Sequence, residues 1–226
     1  MKDMIKILYK DDTLVVAVKP VGVLSQKDRT GEPSMTELLG EQIGKEVFPV
    51  HRLDRAVGGV MLYAMTREAA GKLSALLGKD DFEKEYLTVV HGAPVEKRGE
   101  FFDYLAHDAR RNMTSVAAKG DKDAKDARLS YTLLESDTEF SLVRVRLHTG
   151  RTHQIRVQFA SRGMGIAGDG KYGARDRMGL ALFSHRLAFW HPILKKHMSF
   201  TAMPDEKTTP WDRFLAKTPD ETEKGI

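Results

Sequence analysis

No cysteine occurs among the 226 residues, which excludes disulfides, thiolate metal sites, a cysteine nucleophile and the cysteine-ligated zinc deaminases. A thiol-free chain suits a reducing cytoplasm, the expected location. No apolar run approaches the ~18 residues of a membrane-spanning helix. The N-terminus, Met1-Lys2-Asp3-Met4-Ile5-Lys6, carries charges where a signal peptide needs an apolar core, so a soluble chain without a membrane partner is expected. Internal repeats and low-complexity tracts are absent. The glycine-rich loop Ile166-Ala167-Gly168-Asp169-Gly170-Lys171-Tyr172-Gly173 lacks phosphate-loop spacing. The histidines have no cysteine or carboxylate cluster beside them, so no metal site is expected.

What is present describes a globular protein: 41% hydrophobic and 30% charged residues, with a net charge of +4. The length supports one large domain, residues 1–215, followed by a polar tail at 216–226. The basic balance is compatible with a polyanionic partner.

Apolar runs at 5–9 and 13–18 around Lys10-Asp11-Asp12 predict two strands. Ser34 and Glu37 have capping-box spacing, and Met35, Leu38, Leu39 and Ile43 fall near helical period, so a helix over 35–43 follows. A strand over 60–65 leads to Thr66, which can cap a helix carrying Ala69, Ala70, Leu73, Leu76 and Leu77 on its buried face and ending at Gly78. Further strands are expected at 83–92, 127–134, 140–147, 183–190 and 197–202. A tight glycine turn at 149–151 opens a helical pattern with Ile155 and Phe159 one turn apart.

Two stretches carry unusual charge. From His107 to Lys125 the chain is polar with little apolar periodicity, which reads as a mobile hairpin or loop. In 140–147, Val143, Val145 and Leu147 alternate with Arg144, Arg146 and His148, so one strand face is apolar and the other points cations in one direction.

The centre of the chain is Val50-His51-Arg52-Leu53-Asp54-Arg55, a charged turn between apolar segments. A carboxylate beside a buried strand must be solvated or paired. Arg52 can share a face with Asp54 in extended backbone, whereas Arg55 cannot. Arg156, beside the apolar stripe of the 149–159 pattern, is expected to be partly buried and to need an acceptor, because it cannot shed its charge.

These residues resemble the RluA-type pseudouridine synthases, which isomerise uridine to pseudouridine in RNA. Val18-Lys19-Pro20-Val21-Gly22 is similar to the family's first motif, Val50-His51-Arg52-Leu53-Asp54 to its catalytic turn, and Lys84-Glu85-Tyr86 to the motif with its tyrosine. Thr149-Gly150-Arg151-Thr152-His153-Gln154-Ile155-Arg156 resembles the third motif, with Gly168-Asp169 and Tyr172-Gly173 following in family order. The resemblance spans residues 5 to 203. It departs from the family at Val57-Gly58, where Thr-Ser is usual, and at Arg186, where a small residue is common. An N-terminal S4 domain, present in many relatives, is missing, so the catalytic domain is expected to select its own RNA or to have a partner's help.

The resemblance implies an α+β catalytic domain with a central mixed, largely antiparallel sheet flanked by helices and loops. It is expected to act as a monomer on structured RNA, ribosomal or transfer, without a cofactor. It implies that Asp54 is the catalytic carboxylate, whether as nucleophile or as base for the 2′ proton, with Arg156 its partner and Tyr86 stacked on the flipped base. Arg52 would reach the RNA. His51, Arg151 and His153 would serve turn structure and phosphate contacts, and Arg144 and Arg146 would add to RNA binding. A binding-only RNA factor and a nucleoside-cleaving hydrolase are the rival readings.

Overall fold

The computed structural model describes residues 4–79 and 81–215; the tail expected at 216–226 lies outside them. The chain runs β1 (Ile7–Lys10), β2 (Leu14–Lys19), α1 (Met35–Ile43), β3 (Phe48–Pro49), β4 (Gly58–Ala64), α2 (Arg67–Ser74) and β5 (Phe82–His91). It continues through β6 (Arg98–Asp108), β7 (Met113–Ala117), β8 (Lys125–Ser136), β9 (Phe140–Leu147), α3 (Gln154–Ala160), β10 (Leu182–Trp190) and β11 (His197–Thr201). The eleven strands form one sheet in the order β1-β2-β4-β10-β5-β9-β8-β6-β7, with β11 on β10 and β3 on β4. All pairings are antiparallel except β4 with β10, which join in parallel through Phe183–Gly58 and Ser184–Gly59. The fold is α+β with a mixed, largely antiparallel sheet, as expected.

Every residue of β4 is buried. Met61 and Tyr63 pack with Met35 and Leu39 of α1 on one face, and Val60, Leu62 and Ala64 pack with Ala69 and Leu73 of α2 on the other. Burial on both faces explains why this strand reads as a continuous apolar run. α1 starts at Ser34, whose hydroxyl bonds the Glu37 carboxylate at 2.7 Å, and stops at Gly44 with φ 74°. α2 starts at Thr66 as expected but ends at Ser74, before Gly78. Its α bonding gives way to tighter turns, Leu76 N–H to Leu73 O and Leu77 N–H to Ser74 O, both 3.1 Å.

The polar stretch 107–125 is not a simple loop. β6 and β7 pair through His107–Thr114 and Asp108–Met113, and β8 resumes at Lys125. Phe101 and Leu105 of β6 are buried, whereas Phe102 between them is exposed.

Strand pairing assigns the sheet's faces. Lys84, Tyr86 and Thr88 of β5 stand opposite Leu147, Val145 and Val143 of β9, and share the face covered by α3. Glu85 and Leu87 stand opposite Arg146 and Arg144 and point to the reverse face.

Candidate active site

Asp54 is held in its turn by the segment after β2. The buried Lys19 ammonium donates to the carbonyls of Pro20, Val23 and Arg55. Ser25 Oγ donates to Leu53 O at 2.8 Å and accepts from Leu53 N–H at 3.0 Å. Gly22 N–H donates to Arg55 O and Arg55 Nε to Gly22 O, both at 2.9 Å. These bonds bracket Asp54 on either side and leave its carboxylate free to face α3. Burial pushes the Lys19 amine down to about 8, against the opposing pull of Asp54.

Beneath the turn, Gly59 has φ 121°, and a Cβ there would lie 2.2 Å from Ser184 O. The parallel β4–β10 join therefore requires glycine at this position. Ser184 Oγ donates to Val60 O at 2.9 Å and completes the join.

Across the cleft, Arg156 of α3 donates through Nη1 to Asp54 Oδ2 at 3.1 Å. Its Nε and Nη2 each reach a different oxygen of Asp169 at 2.7 Å. Arg156 is thus a bridge between a buried carboxylate, with 1% of its side chain exposed, and a carboxylate 31% exposed. Burial opposes the guanidinium's charge, but Asp169 and then Asp54 hold its pKa above the ordinary arginine value. Asp169 sits in a loop whose Gly168 has φ 76°, and a Cβ there would meet Gly179 O at 2.2 Å.

His153 caps α3 with φ 54° and lies 3.6 Å from Asp54. Burial pushes its imidazole down to about 4. Its Nδ1 meets the Tyr172 hydroxyl at 2.9 Å, which also accepts Thr114 N–H at 2.9 Å. The β6–β7 hairpin is therefore tied to the site. Gln154, also buried, accepts from Thr149 Oγ1 at 2.8 Å and Arg151 N–H at 3.0 Å, and so shapes the glycine turn.

Tyr86 lies on the same cleft, which Leu53, Val57, Leu147, Ile155 and Leu182 make apolar. Burial, and next the charge of Asp54, push its hydroxyl well above the ordinary tyrosine value, so it is a neutral phenol. The arrangement is a carboxylate held by a buried cation in a cleft that is apolar on one part of its lining and that also takes Tyr86.

Residues 13–161 match the family described as RNA pseudouridylate synthase. The chain belongs to that family.

This synthase is of the RluA type, an isomerase converting uridine to pseudouridine in RNA. It is 32% identical to the tRNA pseudouridine synthase C of Haemophilus influenzae, over 94% of this chain and 97% of that protein. It is 31% identical to that of Pasteurella multocida, over 90% and 93%. In fold it is similar to human RNA pseudouridylate synthase domain containing 4, with a TM-score of 0.74 at 22% identity over 88% and 89% of the two chains.

Within the synthase, Asp54, Tyr86 and Arg156 line one cleft, with Arg52 and Arg151 also on its lining. Arg52 is exposed; Arg151 is tethered to Asp126 by two contacts of 2.7 Å. His51 does not line the cleft. Its Nε2 accepts Leu62 N–H at 3.2 Å and its ring stands edge-on to Phe82; burial pushes it down to about 3, so it is a neutral strut in the turn. Arg144 and Arg146 are not brought to the cleft either, since they project from the reverse face. Arg186, the other departure from the family pattern, also points away, to Glu83 at 2.7 Å and Glu85 at 3.4 Å.

Four residues quoted only within motifs, Lys19, Lys84, Asp169 and Tyr172, take part in the site. Lys84 is 8% exposed on the face of Tyr86, beside Gly150, and has no ion pair with any described residue. Burial, and then Arg151, hold its pKa below the ordinary lysine value. Among the described residues no cluster could hold a metal ion, and no helix is long and apolar enough to cross a membrane.

Proposed function

We propose that Asp54 is the catalytic carboxylate and that the substrate is a uridine in a transfer RNA. The 3.1 Å contact between Arg156 and Asp54 carries this reading, because a close cation keeps a carboxylate ionised. The reaction breaks the bond from C1′ to N1, turns the uracil and joins C1′ to C5. N1 gains a proton and C5 loses one. An ionised Asp54 serves the first step either by attacking the sugar or by taking the 2′ proton.

Tyr86 stacks on the uracil inside the apolar lining, which keeps the freed base from escaping. A phenol held neutral accepts the C5 proton only as it gives up its own, so proton transfer at C5 couples Tyr86 to a second group. The cleft is only about 70 Å³, so the flipped nucleotide requires the side chains of Arg52 and Arg151 at its mouth to swing outward. Arg52 and Arg151 supply positive charge to the RNA backbone there. The names of the relatives support transfer RNA as the substrate.

Asp54→Asn keeps the side chain's size and removes its charge. The expected result is RNA binding within a few-fold of wild type with no pseudouridine and no release of tritium from RNA labelled at C5. Release of free uracil by wild type would instead establish a hydrolase, and binding without any product would favour a binding-only factor.

A further inference from the structure

The basic face of β9 is not used by the cleft. On the reverse face, Arg144 and Arg146 stand beside Thr132 and Ser130 of β8, which stand beside Arg98 and Glu100 of β6. These side chains, with Glu85, line a cavity of about 540 Å³. The next positions along the same face are Phe102, opposite Arg128, and Tyr104. Phe102 is 56% exposed, and its ring meets that of Tyr104 edge-on at 5.4 Å.

Ion pairing leaves this face with surplus positive charge. Glu100 is taken by Arg128 at 2.8 Å, Glu83 by Arg146 at 3.1 Å and Arg186 at 2.7 Å, and Glu85 by Arg186 at 3.4 Å. Arg98 and Arg144 are exposed and have no ion pair with any described residue. Two guanidinium groups without an ion pair among the described residues, two hydroxyls and an aromatic pair of exposed Phe102 with half-buried Tyr104 form a surface of the kind that takes single-stranded nucleic acid, with phosphates on the cations and a base on the exposed ring.

The face is also continuous with the cleft. β9 leads directly from Arg144 through Arg146 and His148 to the Thr149-Gly150-Arg151 turn at the cleft's mouth. The seven residue steps from Arg144 to Arg151 span at most about 23 Å at strand rise, a distance that a few nucleotides bridge.

We propose that this reverse face is a second RNA-binding surface, which holds a single-stranded segment of the substrate after it passes over the 149–151 rim. The proposal rests on the reading of the cleft as an RNA site. An acidic protein would also satisfy the arginines, but the face runs on from the cleft, and an RNA held there reaches it without a second partner, so RNA is the occupant the structure favours.

The test uses the full chain carrying Asp54→Asn, so that binding is read without turnover, and a fluorescein-labelled unmodified transfer RNA transcript. Adding Arg98→Ala and Arg144→Ala is expected to weaken binding about 20-fold at 0.1 M salt and to lower the slope of log affinity against log salt by about 1.4. Phe102→Ser alone is expected to weaken it about ten-fold with the slope unchanged. Hydroxyl-radical footprinting of the unsubstituted protein gives a reading independent of any variant's folding: RNA should protect Phe102 and Tyr104 from oxidation and leave exposed Trp190 unchanged. Equal affinity and slope for all forms, or oxidation of Phe102 unaffected by RNA, overturns the second surface while leaving the cleft's function intact. Failure of every form to bind RNA would overturn both readings.

Discussion

Arg156 couples two carboxylates of unequal burial, so its contributions to stability and to catalysis should separate. Removing one member of a buried ion pair costs about 3–5 kcal/mol, because the other charge is left in a medium that cannot solvate it. Asp169 is such a group, with 1% of its side chain exposed. Arg156→Met and Asp169→Ala should each cost about 3–5 kcal/mol, a drop of roughly 6–20 °C in midpoint for a chain of this size. The double variant strands no buried charge, only the partly solvated Asp54, and should be more stable than the sum of the singles implies by at least about 2 kcal/mol. Asp54 is partly solvated and makes one bond to Arg156, so Asp54→Asn should cost under about 1 kcal/mol. Urea unfolding followed by circular dichroism gives the stabilities, and tritium release from C5-labelled RNA gives the activity. The double variant should recover stability and remain inactive. Additive single costs, within about 0.5 kcal/mol, would refute the coupling, and normal turnover by Arg156→Met would refute the role assigned to the Asp54 contact.

Tyr86→Phe should keep base stacking and lower turnover by about 10²–10⁴-fold; wild-type rates in a single-turnover assay would reduce Tyr86 to a stacking platform. The Lys19 amine titrates near 8 in the folded chain and near ~10.4 when unfolded. The unfolded chain therefore binds more protons across that window, and this residue's contribution to unfolding free energy rises with pH from about 8 to about 10. Urea titrations should show that rise in wild type relative to Lys19→Met, and parallel pH curves would count against it. Gly59→Ala should cost more than about 3 kcal/mol because its Cβ meets Ser184 O at 2.2 Å. Gly71→Ala, in α2 with open space around it, should stabilise by about 0.5–1 kcal/mol in thermal melts. Activity should survive exhaustive chelation with RNA folding held constant, and loss restored by a divalent ion would overturn that expectation.

The strands of the central sheet were legible because burial on one face or two leaves alternation or continuous apolar runs, and α1 was legible from the Ser34 and Glu37 spacing and the apolar period after it. β6 was not, because the alternation of Phe101 and Leu105 is interrupted by Asp103, which serves Gln158 and Arg162 rather than solvent. The convergence of Asp54, Tyr86 and Arg156 was reached by resemblance to a family, since no local pattern brings residues 102 positions apart together. Asp169 escaped a role for the same reason: a carboxylate in a glycine-rich loop reads as solvated until its buried partner is known. Arg144 and Arg146 were correctly seen to share a face. Periodicity cannot say which face of a sheet carries a cleft, and register against Tyr86 settles it.

The insertion of β10 between β4 and β5 has a consequence for how the chain is made. The strands it separates are joined by the short α2 and leave the ribosome early, whereas the strand that fills the gap follows about 120 residues after β4. At about 5–20 residues per second that interval lasts roughly 6–24 s, during which one edge of β5 and the Gly58–Gly59 end of β4 lack the strand that pairs them. Such edges invite pairing with any extended segment. A nascent chain arrested before Leu182 should bind chaperone or a synthetic peptide of residues 182–190, and should convert no uridine until that peptide is supplied.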